Sequence, residues 1–194
     1  VKQLRDLSPR ALATLTEAAT VAAENTNTAR RLLSALGLRG KQLVPYNEHN
    51  RRAKIPQLVA ALDSGDVVLV SEAGTPGISD PGYFLINLAI DQNIPVVPIP
   101  GPTAAIAALS VSGLPTDRFV LEGFLPSKHT ARLKRLEELS KEERTLIFYE
   151  APHRILQALD DMQTVLGDRK AVLTRELTRI HEQVIRGPLS VVKK

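Results

Sequence analysis

Apolar positions along this chain fall into two alternating patterns, short unbroken runs and longer stretches where they recur every three or four residues. "SPRALATLTEA" opens a helix, with Ser8 as N-cap and Pro9 at the first helical position. "VAA" at 21–23 reads as a short strand, and "TARRLLSALG" as a second helix stopped by Gly37. A third helix, "IPQLVAALDSG", ends at Gly65. "DVVLVS" is an unbroken apolar run of strand length, which predicts a strand covered on both faces. "YFLINLAIDQN" is helical, "IPVVPIP" extended, and "TAAIAALSVSG" a helix of small residues. Beyond them "RFVLEGF", "TLIFYE" and "KAVLTRE" read as strands, separated by the helices "SKHTARLKRLEELSKEE" and "HRILQALDDMQTVLG". Repeated strand–helix–strand units predict an α/β fold, with mostly parallel sheets and helices on both faces. "SGLPTDR" at 112–118 has loop composition and serves as the expected linker between two α/β lobes, 1–113 and 114–194.

Three of the strand ends carry unusual loops. "VSEAGTPGISDPGY" at 70–83 packs three glycines, two prolines, two serines and a threonine behind an apolar run. Pro100-Gly101-Pro102-Thr103-Ala104 follows "VVPI", and Tyr149-Glu150-Ala151-Pro152-His153-Arg154 follows "TLIF". Ligands of open α/β sheets sit outside the carboxyl ends of the strands. Glycine lets a backbone approach such a ligand closely, and proline fixes the loop before it arrives. Thr103, at a helix start, leaves free N–H groups toward the crevice. The chain lacks G-x-x-x-x-G-K-[ST] and G-x-G-x-x-G, which argues against a nucleoside triphosphate or a dinucleotide. A neutral pocket lined by backbone suits an adenosine or amino-acid end instead.

Charge sharpens the picture by region. Residues 1–54 hold ten Lys/Arg against four acids, a net +6 in a chain whose total is +4. That segment either faces a polyanion or is a solvated basic surface. The chain has no cysteine, so disulfides, thiolate nucleophiles and cysteine metal sites are excluded. His49, His129, His153 and His181 never fall at metal-ligand spacing, so no metal is expected. No apolar run approaches the ~20 residues of a membrane span and no signal peptide opens the chain, which makes the cytoplasm the expected location.

"AGTPGISDPGY", "VVPIPGPTAAIAALSVSGLPTDRFVLEGFLP", "RTLIFYEAPHR" and "TRELTRIHEQVIRGPL" together resemble the tetrapyrrole-methylase-fold enzymes. Within that superfamily they are most similar to the ribosomal RNA small subunit methyltransferase I branch, the 16S rRNA cytidine 2′-O-ribose methyltransferases. The resemblance runs from about Leu7 to Leu189. It implies a two-lobed α/β fold, S-adenosylmethionine (SAM) in the cleft between lobes, a homodimer, and the small ribosomal subunit as partner. SAM contacts of the family map onto Ala73, Gly74, Thr75 and Ile78, onto Pro102, Thr103 and Ala104, and onto Tyr149.

Against the family pattern, Lys2-Gln3 stand where Gly-Asn is expected, and the strands that open and close the fold fall outside residues 1–194. This implies weak SAM binding and poor turnover until both ends are restored. The "AEDTRxTR" pattern reads Ala23-Glu24-Asn25-Thr26-Asn27-Thr28-Ala29-Arg30, "HEHN" reads Asn47-Glu48-His49-Asn50, and Ser-Asp reads Ser71-Glu72.

Methyl transfer to a ribose hydroxyl needs an electrophilic methyl, an aligned oxygen and a proton acceptor. Glu48, His49, Glu150 and His153, all in polar loops, are the candidate bases, each competing with a role as a loop-stabilising hydrogen bond. Arg30, Arg31, Arg51, Arg52 and Arg154 read as phosphate contacts that position RNA. Lys128, Arg132 and Arg135 share a helix face followed by acids, which reads as a solvated helix. Two other functions fit the same fold: methylation of a small tetrapyrrole or a modified protein side chain, and binding of RNA or a partner without catalysis.

Overall fold

The computed structural model describes residues 4–72 and 74–194. By internal contacts the chain divides into two units, Val1–Thr103 and Ala104–Lys194.

The first unit is built on a three-stranded parallel sheet of order β2-β1-β3, with β1 (Thr20–Ala23) between β2 (Gln42–Pro45) and β3 (Val67–Val70). Parallel neighbours need long crossovers, which α2 (Thr26–Ala35) and α3 (Arg51–Leu62) supply. Side chains then alternate across the sheet. Ala22, Val44, Val67 and Leu69 pack with Leu58 of α3 and Leu85 of α4 (Tyr83–Asp91). Val21, Leu43, Val68 and Val70 pack with Leu15 of α1 (Pro9–Glu17) and Leu33 of α2. Helices thus cover both faces, as the strand–helix alternation predicts.

Local chemistry explains most element ends. The Ser8 hydroxyl accepts from the Ala11 N–H at 3.1 Å and Pro9 opens α1, so the expected cap is formed. Gly37, at φ +73°, lets the N–H groups of Gly37 and Leu38 reach back to the carbonyls of Ser34 and Leu33, which closes α2. Lys41 donates to the carbonyls of Thr16 and Ala18 at 2.6 Å, at the end of α1.

Four features depart from the sequence reading. β1 is the fully buried central strand, whereas β3, packed on both faces as expected, lies at the end of the strand order and is only half-buried. β2 was not expected, because "QLVP" is short and ends in a proline. α3 begins at Arg51 and carries Pro56 inside it, a position from which no N–H can bond the Arg52 carbonyl. "IPVVPIP" joins no ladder among the described residues: Pro95, Pro98 and Pro100 supply no donors, and the Ser8 hydroxyl instead donates to the Pro100 carbonyl at 3.1 Å.

The second unit pairs β4 (Phe119–Phe124) with β5 (Thr145–Tyr149) in parallel and β6 (Lys170–Arg175) with β7 (Gln183–Pro188) antiparallel. Its other elements are α5 (Ala104–Ser112), α6 (His129–Leu139), α7 (Ile155–Leu166) and the short α8 (Leu189–Val192). Leu125, Leu136, Leu159, Met162, Leu189 and Val192 form its core. Arg186 of β7 donates to the carbonyls of Val111 and Ser112 at 2.5 and 3.3 Å. Those bonds tie the end of α5 to the second unit, where the sequence reading drew the lobe boundary after residue 113.

The basic face of α6 is not a solvated stripe. Arg132 is 3% exposed, and its Nε donates to Asp161 Oδ2 of α7 at 2.6 Å. Arg135 makes a two-pronged pair with Glu122 of β4, at 2.5 and 2.8 Å.

Candidate active site

The carboxyl ends of β1, β2 and β3 in the first unit open into polar loops, as the crevice rule for open α/β sheets requires. After β1 comes Glu24, then Asn25, whose side chain accepts from the N–H groups of Asn27 and Thr28 at 3.0 and 3.2 Å. Asparagine caps a helix as well as aspartate does, so replacing the acid of the family pattern keeps the start of α2. Thr28 then donates to Glu72 Oε1 at 3.0 Å, linking α2 to the loop after β3.

After β2, Asn47 and Asn50 lock the loop reciprocally. Asn47 Oδ1 accepts from the N–H of His49 and of Asn50, and Asn50 Oδ1 accepts from the Asn47 N–H at 2.8 Å. Glu48 and His49 are held on the exposed side of that lock. Glu48 pairs with Arg51 at 2.7 Å, and Arg51 lies over the Phe84 ring, 5.3 Å from its centroid. Beneath them Tyr46 is buried. Burial first, and Glu48 second, push its phenol above the ordinary tyrosine range, against the pull of Arg51.

The loop after β3 turns on glycines. Gly74 has φ +77°, and the nearest atom to a Cβ there is Asp80 Oδ2 at 4.0 Å, so the backbone is open to a ligand. Gly82, at φ +149°, has no such room: a Cβ would lie 3.0 Å from the Gly77 nitrogen and 3.1 Å from Leu69 Cδ2. The loop is therefore folded tightly onto β3 at one end and open at the other.

Two adjoining cavities, about 400 and 620 Å³, share Glu24, Asn47 and His49. The first also reaches Glu72, the second Glu48 and Asp80. Burial first, then the like charges of Glu24 and Glu72, hold the Asp80 carboxyl above its ordinary range, while a Ser71 hydrogen bond opposes them.

The expected cofactor contacts are distributed as follows. Ala73 lies outside the described residues, as do Lys2 and Gln3. Gly74 and Thr75 are exposed, and Ile78 is 51% exposed despite its apolar side chain. Pro102 and Thr103 end the first unit and Ala104 opens α5. Tyr149 ends β5 with its ring 5.5 Å from that of Phe124.

Of the candidate bases, Glu48 and His49 meet at one cavity. Glu150 is already engaged: its side chain is 5% exposed, pairs with Arg154 at 2.7 Å and accepts from the Ala151 N–H. The same pair occupies Arg154, which makes it a poor phosphate contact. His153 is exposed. Arg30 donates to Asn27 Oδ1, whereas Arg31 and Arg52 are exposed and make no ion pair among the described residues. Asp80 was not singled out in sequence, although "ISDPG" places a carboxylate between a strand end and a helix start, which was the signal available.

The family model for Tetrapyrrole (Corrin/Porphyrin) Methylases matches residues 2–192. The chain belongs to this family. Within the methylase family it is 49% identical over 191 residues to Ribosomal RNA small subunit methyltransferase I of Synechocystis sp., covering 97% of this chain and 68% of that protein. It is 50% identical to the Pseudomonas aeruginosa protein of the same name, covering 98% of this chain and 68% of the relative. Among solved structures, Uroporphyrin-III C-methyl transferase from Thermus thermophilus complexed with S-adenyl homocysteine shares the fold. It has a TM-score of 0.61, 19% identity, and coverage of 97% of this chain and 84% of that one.

Proposed function

We propose that this methylase transfers a methyl group from SAM to the 2′-hydroxyl of a cytidine ribose in 16S rRNA of the small ribosomal subunit. The observation that carries this reading is the identity of 49–50%, over 97–98% of this chain and 68% of each relative, with two proteins named as small-subunit rRNA methyltransferases. Tetrapyrrole chemistry has weaker support, since the uroporphyrin enzyme is only 19% identical.

The residues of the first unit suit SAM. Gly74 offers an open, left-handed backbone, and Glu24 and Glu72 place negative charge near it, which favours a cationic sulfonium and ammonium. When bound, SAM supplies the electrophilic methyl group. Gly74, Thr75 and Ile78 would hold it from this unit, with Ala73, Pro102 and Thr103. Exposed Arg31 and Arg52 would contact phosphates and fix the register of the RNA, joined by Arg30. A homodimer acting in the cytoplasm completes the reading; no described helix is long and apolar enough to cross a membrane.

Calorimetric titration with SAM tests the site. The parent is expected to bind, and Thr75→Lys and Gly74→Val to lose at least tenfold in affinity while keeping their circular-dichroism spectrum. A parent that does not bind SAM overturns the reading. Unchanged affinity in both variants overturns the loop assignment.

A further inference from the structure

Transfer of a methyl group to a ribose hydroxyl forms an O–CH3 bond, breaks an S–CH3 bond and releases one proton. The neutral hydroxyl donates that proton, and the sulfonium leaves as a neutral thioether. Four carboxylates line the cavities of the first unit, and their surroundings separate them. Glu48 is already paired with Arg51 at 2.7 Å. Glu72 already accepts the Thr28 hydroxyl at 3.0 Å. Glu24 borders both cavities at the mouth of β1. Asp80 borders the larger one, is half-buried, and pairs with no Lys, Arg or His among the described residues.

We propose that Asp80 accepts the proton of the ribose hydroxyl, and that the 620 Å³ cavity beside it receives the acceptor nucleotide. This rests on the reading of the chain as a ribose methyltransferase. The cavity lies outside the carboxyl ends of parallel strands and has the volume of a small-ligand site. The groups that face Asp80 come from three elements: Glu24 after β1, Glu48 and His49 after β2, and Ser71, Glu72 and Tyr83 around the loop after β3. Burial and the charges of Glu24 and Glu72 make it a stronger base than a carboxylate in water, the direction that proton removal from a weakly acidic hydroxyl requires. Gly74, whose Cβ position is 4.0 Å from Asp80 Oδ2, places the open cofactor loop next to this carboxylate.

The test compares the parent with Asp80→Asn, Asp80→Glu and Glu72→Gln. The measurements are single-turnover methylation of unmethylated small subunits across pH, and SAM affinity by calorimetry. Asp80→Asn is expected to lower the rate about 100-fold or more, to keep SAM affinity within about threefold, and to lose the acid limb of the pH profile. Asp80→Glu is expected to regain part of the rate. Glu72→Gln is expected to move the acid limb to lower pH, because a like charge beside Asp80 is gone.

An Asp80→Asn rate within threefold of the parent, with the acid limb intact, overturns the assignment. A tenfold loss of SAM affinity in that variant overturns it too, since Asp80 would then hold the cofactor. A parent that methylates no ribose on the subunit overturns the functional reading along with it, whereas a fast parent and an equally fast Asp80→Asn overturn this assignment alone.

Discussion

Asp80 holds its proton above the ordinary aspartate range because it is partly withdrawn from water, with Glu24 and Glu72 adding like charge. Such a group works against the fold once ionised. Stability is fully present below the unfolded-state value, near pH 4, and is lost as pH rises from there through the native value. Asp80→Asn removes the penalty, so its thermal midpoint at pH 7 is expected to exceed the parent's. The difference should close at about pH 3, where Asp80 of the parent is protonated in the native and the unfolded state alike. Equal midpoints at pH 7 would contradict the burial of this charge. Gly82 makes the opposite point. Gly82→Ala forces a Cβ to 3.0 Å from the Gly77 backbone at φ +149°, and is expected to cost about 1–3 kcal/mol in urea unfolding. The sequence shows this loop clearly, since so many turn-formers behind an apolar run have no packing purpose. It does not show which carboxylate is strained, because that depends on β1 and β3 lying side by side, bringing Glu24 near residues more than forty positions away.

Among the elements, α6 and α7 are joined by a buried ion pair whose side chains are 3% and 11% exposed. The Arg132 guanidinium also donates to the Ser127 carbonyl at 3.1 Å, so it fixes the entry to α6 as well as its neighbour. Asp161→Ala would leave that guanidinium buried without its carboxylate, at an expected cost of about 3–5 kcal/mol. Replacing both residues by apolar ones of similar volume is expected to recover most of it, and urea midpoints of the three variants would show whether it does. Helical periodicity placed α6 and α7 in sequence, yet charge pattern alone made Arg132 look solvated, because its partner lies 29 residues away on another helix. The same limit hid β2 and β7. "QLVP" and "QVIRGP" are too short or too polar to declare themselves, and they become strands only through pairing with β1 and β6. "IPVVPIP" failed in reverse: it is apolar enough for a strand, but its prolines remove the donors a ladder needs.

Across the molecule, the excess positive charge of residues 1–54 is not all available to a polyanion. Lys41 is held by two carbonyls of the α1 end, and Arg51 by Glu48 and Phe84. Arg31 and Arg52 are exposed and make no ion pair among the described residues, so Arg31→Glu with Arg52→Glu is expected to weaken rRNA binding and flatten its salt dependence by about 1.5 in the log–log slope. Lys41→Gln should lower stability and leave that slope unchanged. Binding isotherms between 50 and 200 mM salt distinguish the two.

The most direct test of the account is where the methyl group goes. Unmethylated small ribosomal subunits are incubated with the protein and methyl-labelled SAM, and the 16S rRNA is digested to nucleosides for mass spectrometry. The predicted result is label in 2′-O-methylcytidine alone, absent with the Gly74→Val variant. Label on a base, or no label in the RNA while a tetrapyrrole or protein side chain is methylated, would contradict it.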